Sequence, residues 1–188
     1  MKHLMQIMAL CLAFCLTGCA AVYVESPVGD KPVMLDAAEW DGFWIGGGET
    51  VASIKVIDPQ EGMLRMSVIE YESGGKTRLD SDIVYIREWK HFLFASVPIQ
   101  REGQSPLFYW ARLDRDDDRV TFWIPNHHKI KALVQVGKLP GRIEQDKNKD
   151  VVLGNLDDAH YRILTSEAEG VLYQWDNPGV LIRIQSGR

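Results

Sequence analysis

The stretch VASIKVIDPQEGMLRMSVIEY, residues 51–71, decides the fold because it contains two β-strand patterns joined by a turn. In its first half, apolar residues alternate around Ile54 and Val56, as they do in a strand with one buried face. The turn formers Asp58-Pro59-Gln60-Glu61-Gly62 follow, and a second strand pattern runs from Met63 to Tyr71. We therefore predict an antiparallel β-hairpin here.

Strand patterns of the same kind continue towards the C-terminus. Ser73-Gly74-Gly75 marks the next turn, and later strands are predicted at Ile83–Arg87, Phe92–Val97, Leu107–Leu113 and Val120–Ile124. Consecutive strands with short connections usually pair with their neighbours in sequence. The chain up to Ile124 therefore predicts an antiparallel meander.

The pattern becomes helical after Pro125. Asn126 is a candidate N-cap for a helix over His127–Val136, and a second helix is predicted over Leu156–Ser166, where Asn155 and Asp158 have capping-box spacing. A last hairpin is predicted from Val171–Trp175 and Val180–Ile184. The expected fold class is α+β, mostly antiparallel β: a meander sheet or partly closed barrel with two helices and a hairpin near the C-terminus.

The segment from Met1 to Gly18 has the pattern of an export signal. Lys2 and His3 precede an almost wholly apolar run, Leu4–Leu16, which is shorter than the about 20 residues of a membrane-spanning helix. The run ends in Leu16-Thr17-Gly18-Cys19, which resembles the lipobox of bacterial lipoprotein precursors. The resemblance implies cleavage before Cys19, acylation of its sulfur and of the new amino terminus, and a permanent lipid anchor.

The expected organisation follows from this resemblance: a signal peptide at 1–18, a lipid-anchored tether at 19–38 and a single β-rich domain at 39–188. The tether is expected because the segment from Ala20 to Leu35 is mixed in polarity and shows no sustained period. Ala20 replaces the aspartate associated with retention in the inner membrane. This favours the outer membrane, with the domain in the periplasm.

The positions of the cysteines indicate how the domain is stabilised, and the net charge indicates which partners are expected. The three cysteines are Cys11, Cys15 and Cys19, and none follows the lipobox, so the domain must be stabilised by burial without a disulfide. The formal net charge is −5, which gives no attraction to a phosphate backbone and excludes nucleic acid as an expected partner. We expect membrane association through the lipid on Cys19 alone, without a polybasic patch.

A second resemblance concerns Gly42-Phe43-Trp44, a G-x-W motif near the start of the first strand of the meander. It is similar to the opening motif of lipocalin-like β-barrels. In that family the tryptophan closes one end of the barrel. The resemblance therefore implies a packing role for Trp44.

Residues with metal or catalytic chemistry do not form a recognisable motif. The acidic runs at 114–118 and 146–150 begin with calcium-loop spacing but lack the required glycine, so solvated loops are favoured. Capping at a helix start accounts for Asp157 and Asp158. Surface or capping roles are favoured for the four histidines that follow the lipobox, which are His91, His127, His128 and His160. We expect no metal, no cofactor and no catalysis.

Aromatic residues are concentrated in the predicted strands. Because neighbouring residues of a strand point to opposite faces, Phe108 and Trp110 share one face of the sheet, and Phe122 opposes Trp123. The second face is then either covered by the C-terminal helices or left as an aromatic pocket or docking surface. In the latter case Trp44, Trp110 and Trp123 are the candidate ligand-binding residues.

Three functions remain open. The leading one is a non-catalytic accessory lipoprotein whose domain docks onto another envelope component, which requires an exposed apolar patch. The second is a lipocalin-like binder of an apolar small molecule or lipid, which requires a cavity of about 300–1,000 Å³. The third is an envelope hydrolase, which requires a buried carboxylate or histidine with a strongly shifted pKa in a cleft.

Overall fold

The computed structural model describes residues 20–47, 50–71, 77–101, 103, 105–145, 149–172 and 178–184. The export signal, Cys19 and the predicted turn at Ser73–Gly75 lie outside the described residues. The acylation of Cys19 therefore stays a prediction. Among the described residues, no helix has the length and apolar character needed to cross a membrane.

The described chain forms twelve strands and three helices. In chain order they are β1 (Val22–Val24), β2 (Lys31–Pro32), α1 (Ala37–Trp40), β3 (Gly42–Gly46), β4 (Val51–Asp58), β5 (Met63–Tyr71), β6 (Thr77–Trp89), β7 (Phe92–Ile99), β8 (Leu107–Asp116), β9 (Arg119–Trp123), α2 (His127–Gln135), β10 (Gly141–Ile143), β11 (Val151–Leu153), α3 (Asp158–Leu164) and β12 (Gly179–Arg183).

Eight of these strands close into an antiparallel barrel. Strands β3 to β9 pair in sequence order, and β12 lies between β9 and β3, with Leu181 opposite Val120 and Ile182 opposite Ile45. The predicted meander and the mostly antiparallel fold class are confirmed. The barrel is closed because β12 satisfies both remaining sheet edges.

The predicted C-terminal hairpin is wrong in its pairing. Within the described residues, β12 pairs with β3 and β9, whereas Leu172 forms an isolated bridge to Pro125. Residues 173–177, which include Asp176 and Asn177 of the predicted hairpin turn, lie outside the described residues. Pairing with two barrel edges gives β12 twice the backbone hydrogen bonding that one hairpin partner offers.

The segment predicted as a tether is part of the fold. Strand β1 pairs in parallel with β11, where Val22 lies opposite Val151, and antiparallel with β8, where Tyr23 lies opposite Tyr109. Val24 and Val28 are almost completely buried. The β-branched and aromatic side chains of β1 fit a buried strand position between these two edges, and this outweighs the nearby proline and glycine residues.

Two large apolar cores and one smaller cluster result from this arrangement. The first fills the barrel and contains Trp44, Ile54, Leu64 and Ile86, among other residues. The second lies outside the barrel, between β6–β8 and the C-terminal helices, and its members include Phe94, Trp110, Ile130, Tyr161 and Leu164. Helices therefore cover the outward aromatic face, and Phe122 and Trp123 belong to opposite sides as predicted.

The two longer helices begin with side-chain caps. Asn126 caps α2 as predicted, because its side-chain oxygen accepts the N–H of Lys129. Helix α3 begins two residues later than predicted, since Asp157 is the N-cap and His160 completes the capping box. The short helix α1 was not predicted, and it places Trp40 against the barrel core.

We predict that Trp44→Ala lowers the free energy of unfolding by about 3–5 kcal/mol, the usual cost of truncating a large buried aromatic. Trp44 is fully buried, and its indole N–H donates to the carbonyl of Trp40 at 3.1 Å. The control is Phe43→Ala, because Phe43 is 58% exposed on the opposite face of the same strand. Urea unfolding checks this: equal midpoints for the two variants contradict the inward placement of Trp44.

Candidate functional site

A small apolar cavity of about 70 Å³ extends from the barrel interior to Ala21 and Val22 outside the barrel. Side chains that line it include Ile54, Leu64, Val84, Ala95, Ala111 and Phe122. Pockets for drug-sized ligands are typically about 300–1,000 Å³, so this barrel is largely filled by its own side chains. The cavity therefore falls well short of the volume that the lipocalin-like function requires.

The three predicted ligand-binding tryptophans do not form one site. Trp44 lies inside the barrel, whereas Trp110 and Trp123 belong to the outer core beneath the helices. Of the three, Trp110 borders the cavity, and its buried indole N–H has no hydrogen-bond partner in the described part of the chain. Trp123 lies beside Arg112, whose guanidinium is 5.5 Å from the Trp123 ring centroid and 4.5 Å from that of Phe92.

A second cavity, of about 280 Å³, lies outside the barrel between residues 24–30 and 154–161. Polar groups of Ser26, Asp30 and Asn155 contribute to its lining. The Tyr161 hydroxyl at this cleft accepts the N–H of Gly29 at 3.0 Å, and burial raises the pKa of Tyr161. The cleft is too polar for the apolar ligand that the lipocalin resemblance implies.

Two carboxylates lie on the inward face of β6. Asp80 and Asp82 alternate with the outward residues and share the face of the buried Val84. Burial raises the pKa of Asp82, and the charge of Asp80 adds to the shift. The pair is the arrangement closest to the requirement of the hydrolase hypothesis.

No histidine in the described part of the chain accompanies this acidic pair. His91 follows the far end of β6 and packs against Phe92, while His160 caps α3. Among the described residues, no group of three histidine, cysteine or acidic side chains is arranged to hold a metal ion.

Asp150 fixes the beginning of the described chain. It is 5% exposed, and its carboxylate accepts the N–H of Ala21 at 2.8 Å while lying 3.7 Å from the guanidinium of Arg101. The N–H of Val151 donates to the carbonyl of Ala21 at 2.9 Å. Both the N–H and the carbonyl of Ala21 are thus held, so the expectation of a solvated loop is wrong for Asp150.

A row of apolar side chains crosses the outer surface of five barrel strands. We call Ile182, Ile45, Val51, Ile69 and Leu79 the apolar belt, because each residue lies directly opposite the next on the neighbouring strand. Directly opposite side chains are about 4.5–5.5 Å apart at Cβ, so the belt is continuous. Leu79 is 66% exposed, Ile182 56% and Ile45 45%.

The apolar belt was not predicted, because each strand was expected to have only one apolar face. The signal was nevertheless present in runs that are apolar on both faces. Phe43, Trp44 and Ile45 are consecutive in β3, and Val180, Leu181 and Ile182 are consecutive in β12. In an antiparallel barrel with an apolar interior, alternate residues of such a run point outwards, so large apolar side chains lie on the outer surface.

Comparison of the chain with protein-family models, with curated proteins and with solved structures found no match.

We predict that Asp150→Ala lowers the free energy of unfolding by about 1–3 kcal/mol, the cost of leaving a buried hydrogen-bond donor unpaired. Hydrogen exchange at the Ala21 amide should accelerate, because this N–H loses its acceptor. Asp150→Asn should have a smaller effect, since its amide oxygen can still accept. The exposed Asp116→Ala is the control. Unchanged exchange at Ala21 in Asp150→Ala contradicts this role of the carboxylate.

Proposed function

We propose that this chain is a lipid-anchored lipoprotein of the cell envelope, and that its β-barrel is a non-catalytic docking module for another envelope component. The apolar belt carries the proposal. Large apolar side chains of soluble monomers are usually exposed singly, whereas contiguous exposed patches mark interaction surfaces. Here the patch runs across five neighbouring strands and continues to Phe43, which is 58% exposed.

The energetics favour a binding role for this surface. Complete burial of one Leu, Ile or Phe side chain stabilises a complex by about 1.5–3 kcal/mol. Residues of the belt are already held in one row by the barrel backbone, so docking orders few additional groups. The partner that fits is a second envelope protein with an apolar surface of complementary shape.

The anchor is the acylated Cys19 implied by the lipobox, and Ala20 after it favours the outer membrane with the domain in the periplasm. Multiple acyl chains on one residue hold a protein at a membrane effectively permanently. The fixed position of Ala21 means that the chain reaches the folded domain two residues after Cys19. The domain therefore stays next to the lipid surface, where other envelope proteins are concentrated.

The alternative is a lipocalin-like binder of an apolar small molecule or lipid. The closed eight-stranded barrel, its apolar cavity and the unpaired indole N–H of Trp110 favour this function. The cavity volume of about 70 Å³ argues against it, because an acyl chain needs several-fold more space. Docking through the apolar belt needs no rearrangement of the barrel, so we place it first.

Cys19→Ser tests the anchor. We expect loss of metabolic labelling with radioactive palmitate and accumulation of an unprocessed precursor, because the sulfur that accepts the lipid is gone. Labelling is measured after immunoprecipitation, with Cys15→Ser as the matched control that should still be labelled. Palmitate incorporation into Cys19→Ser refutes the anchor.

Docking through the belt is tested by placing a photo-crosslinking amino acid at Ile45 or, as control, at Ile57. Both positions are exposed, at 45% and 40%, but Ile57 lies at the register shift near the end of β4 and off the belt. In intact cells we expect a discrete adduct to one envelope protein from position 45 and none from position 57. Adding Ile182→Ser should weaken the adduct at position 45 severalfold, because it removes the neighbouring apolar side chain.

Two other results of this crosslinking experiment contradict the docking proposal. Equal adducts from positions 45 and 57 mean that the barrel contacts its surroundings without selecting the belt. An adduct of twice the mass of the chain means that the belt joins two copies of this protein instead of a different partner.

A further inference from the structure

Positive charge is concentrated around α2, although the chain as a whole is acidic. Between Asp118 and Glu144 the sequence contains five Lys or Arg residues and no Asp or Glu, in a protein of formal net charge −5. We use the term basic surface for His128, Lys129, Lys131, Lys138 and Lys149. Lys131 is half-buried and the other four are exposed.

Within the described residues, the acid-free segment includes one paired arginine and three lysines without an ion pair. Arg142, in the same acid-free segment, pairs with Glu25 and Glu144. In the part of the chain that the structure describes, no ion pair joins Lys129, Lys131 or Lys138 to a carboxylate.

Acidic groups occur at one side of the basic surface. The Lys129 side chain approaches Gly170, and the turn that ends there carries Glu167 and Glu169. These two carboxylates offset part of the charge of Lys129. Ala132, Gln135 and Val136 are exposed on the outer side of the helix, Lys131 borders them, and Lys138 lies in the turn that follows.

A chain of direct contacts places the basic surface beside the point at which the acylated residue joins the domain. Ala21 donates to the carboxylate of Asp150, and the carbonyl of the adjacent Lys149 contacts the ring Nε2 of His127 at 3.1 Å. His127 is the first residue of α2. Successive Cα atoms are about 3.8 Å apart, so Cys19 lies within about 8 Å of Ala21.

We propose that the basic surface rests on the anionic headgroups of the same membrane that holds the acyl chains of Cys19. The inference rests on the proposed function, because it needs the lipid anchor. Lys and Arg side chains near an anionic leaflet attract it over a distance set by ionic screening, and the anchor keeps them within that distance. This proposal departs from the expectation that no polybasic patch adds to membrane association, which was based on the net charge of the whole chain and not on the local basic segment.

This contact gives the barrel a defined orientation. Ile130 and Leu133 of α2 pack in the core that covers the outer faces of β7 and β8. In the closed ring of eight strands, β3 and β4 lie on the wall opposite β7 and β8. With the basic surface on the membrane, the apolar belt faces away from the lipid and is open to a partner.

The experiment uses the mature acylated protein in vesicles made of equal parts phosphatidylglycerol and phosphatidylcholine. No cysteine follows Cys19 in the sequence, and the Cys19 sulfur carries the lipid, so Val136→Cys or Phe43→Cys introduces the sole free thiol. These positions are 70% and 58% exposed, on the basic surface side and the belt side of the barrel respectively. Each thiol carries a donor dye, and energy transfer to an acceptor on the lipid headgroups is measured.

We expect markedly stronger transfer from position 136 than from position 43. Each lysine contributes about fivefold to the preference for an anionic surface. The preference of the basic surface for anionic lipid should therefore fall on the order of 100-fold in a variant with Lys129→Gln, Lys131→Gln and Lys138→Gln. Energy transfer from positions 136 and 43 should then become similar. On pure phosphatidylcholine vesicles, transfer from the two positions should also become similar, because the anionic headgroups are absent. The corresponding three Lys→Arg substitutions should keep transfer from position 136 stronger than from position 43, because they keep the charge.

The outcomes separate this inference from the proposed function. Equal transfer from positions 136 and 43 in the unsubstituted protein on anionic vesicles overturns the orientation. Stronger transfer from position 43 also overturns it, because the belt would then lie on the lipid. Failure of the protein to float with any vesicle instead refutes the acyl anchor. Thermal unfolding of the Lys→Gln variant must match the parent protein, which excludes loss of folding as the cause of a changed signal.

Discussion

Closure of the barrel by β12 is the constraint on which the rest of the structure depends. Because β12 pairs with both β3 and β9, the eight strands have no free edge along the closed ring, and every strand acquires a fixed inside and outside. This closure places Trp44 in the core and Ile45 on the surface. The apolar belt is therefore a direct consequence of strand register, since a shift of one residue would bury the belt and expose the core.

Local sequence patterns were sufficient to predict those strands and helices whose partners are close in sequence. Strand β5 has the predicted bounds Met63–Tyr71, and α2 begins at His127 as its cap indicated. The segment Val22–Val24 was misjudged because its partner β11 is distant in sequence, as the Ala21–Asp150 hydrogen bond illustrates. Only the folded sheet creates the edges that this short segment joins. The packing role of Trp44 was predictable, but the apolar belt needed cross-strand register, which a single sequence does not contain.

Two surfaces of the domain are unfavourable for stability but suited to binding. Exposed apolar residues of the belt gain nothing from folding, and the first turn of α2 carries His128 and Lys129 where the helix dipole favours acidic groups. Natural sequences depart from locally favourable choices mainly at functional sites. The buried cores and the capped helix α3, by contrast, consist of residues that favour their local structure. The two proposed contact surfaces therefore coincide with these departures.

The direct connection between anchor and domain links these two surfaces. A long flexible tether would let the barrel rotate freely, and the basic surface would then meet the membrane only part of the time. Because Ala21 is fixed to Asp150, one intervening residue separates Cys19, the proposed site of acylation, from the folded domain, and the proposed anchor would hold α2 near the lipid. Attachment at two neighbouring points makes the second contact effectively intramolecular. In the proposed arrangement, lysines that attract a bilayer weakly on their own can then set the orientation of the whole barrel, with the belt directed away from the lipid.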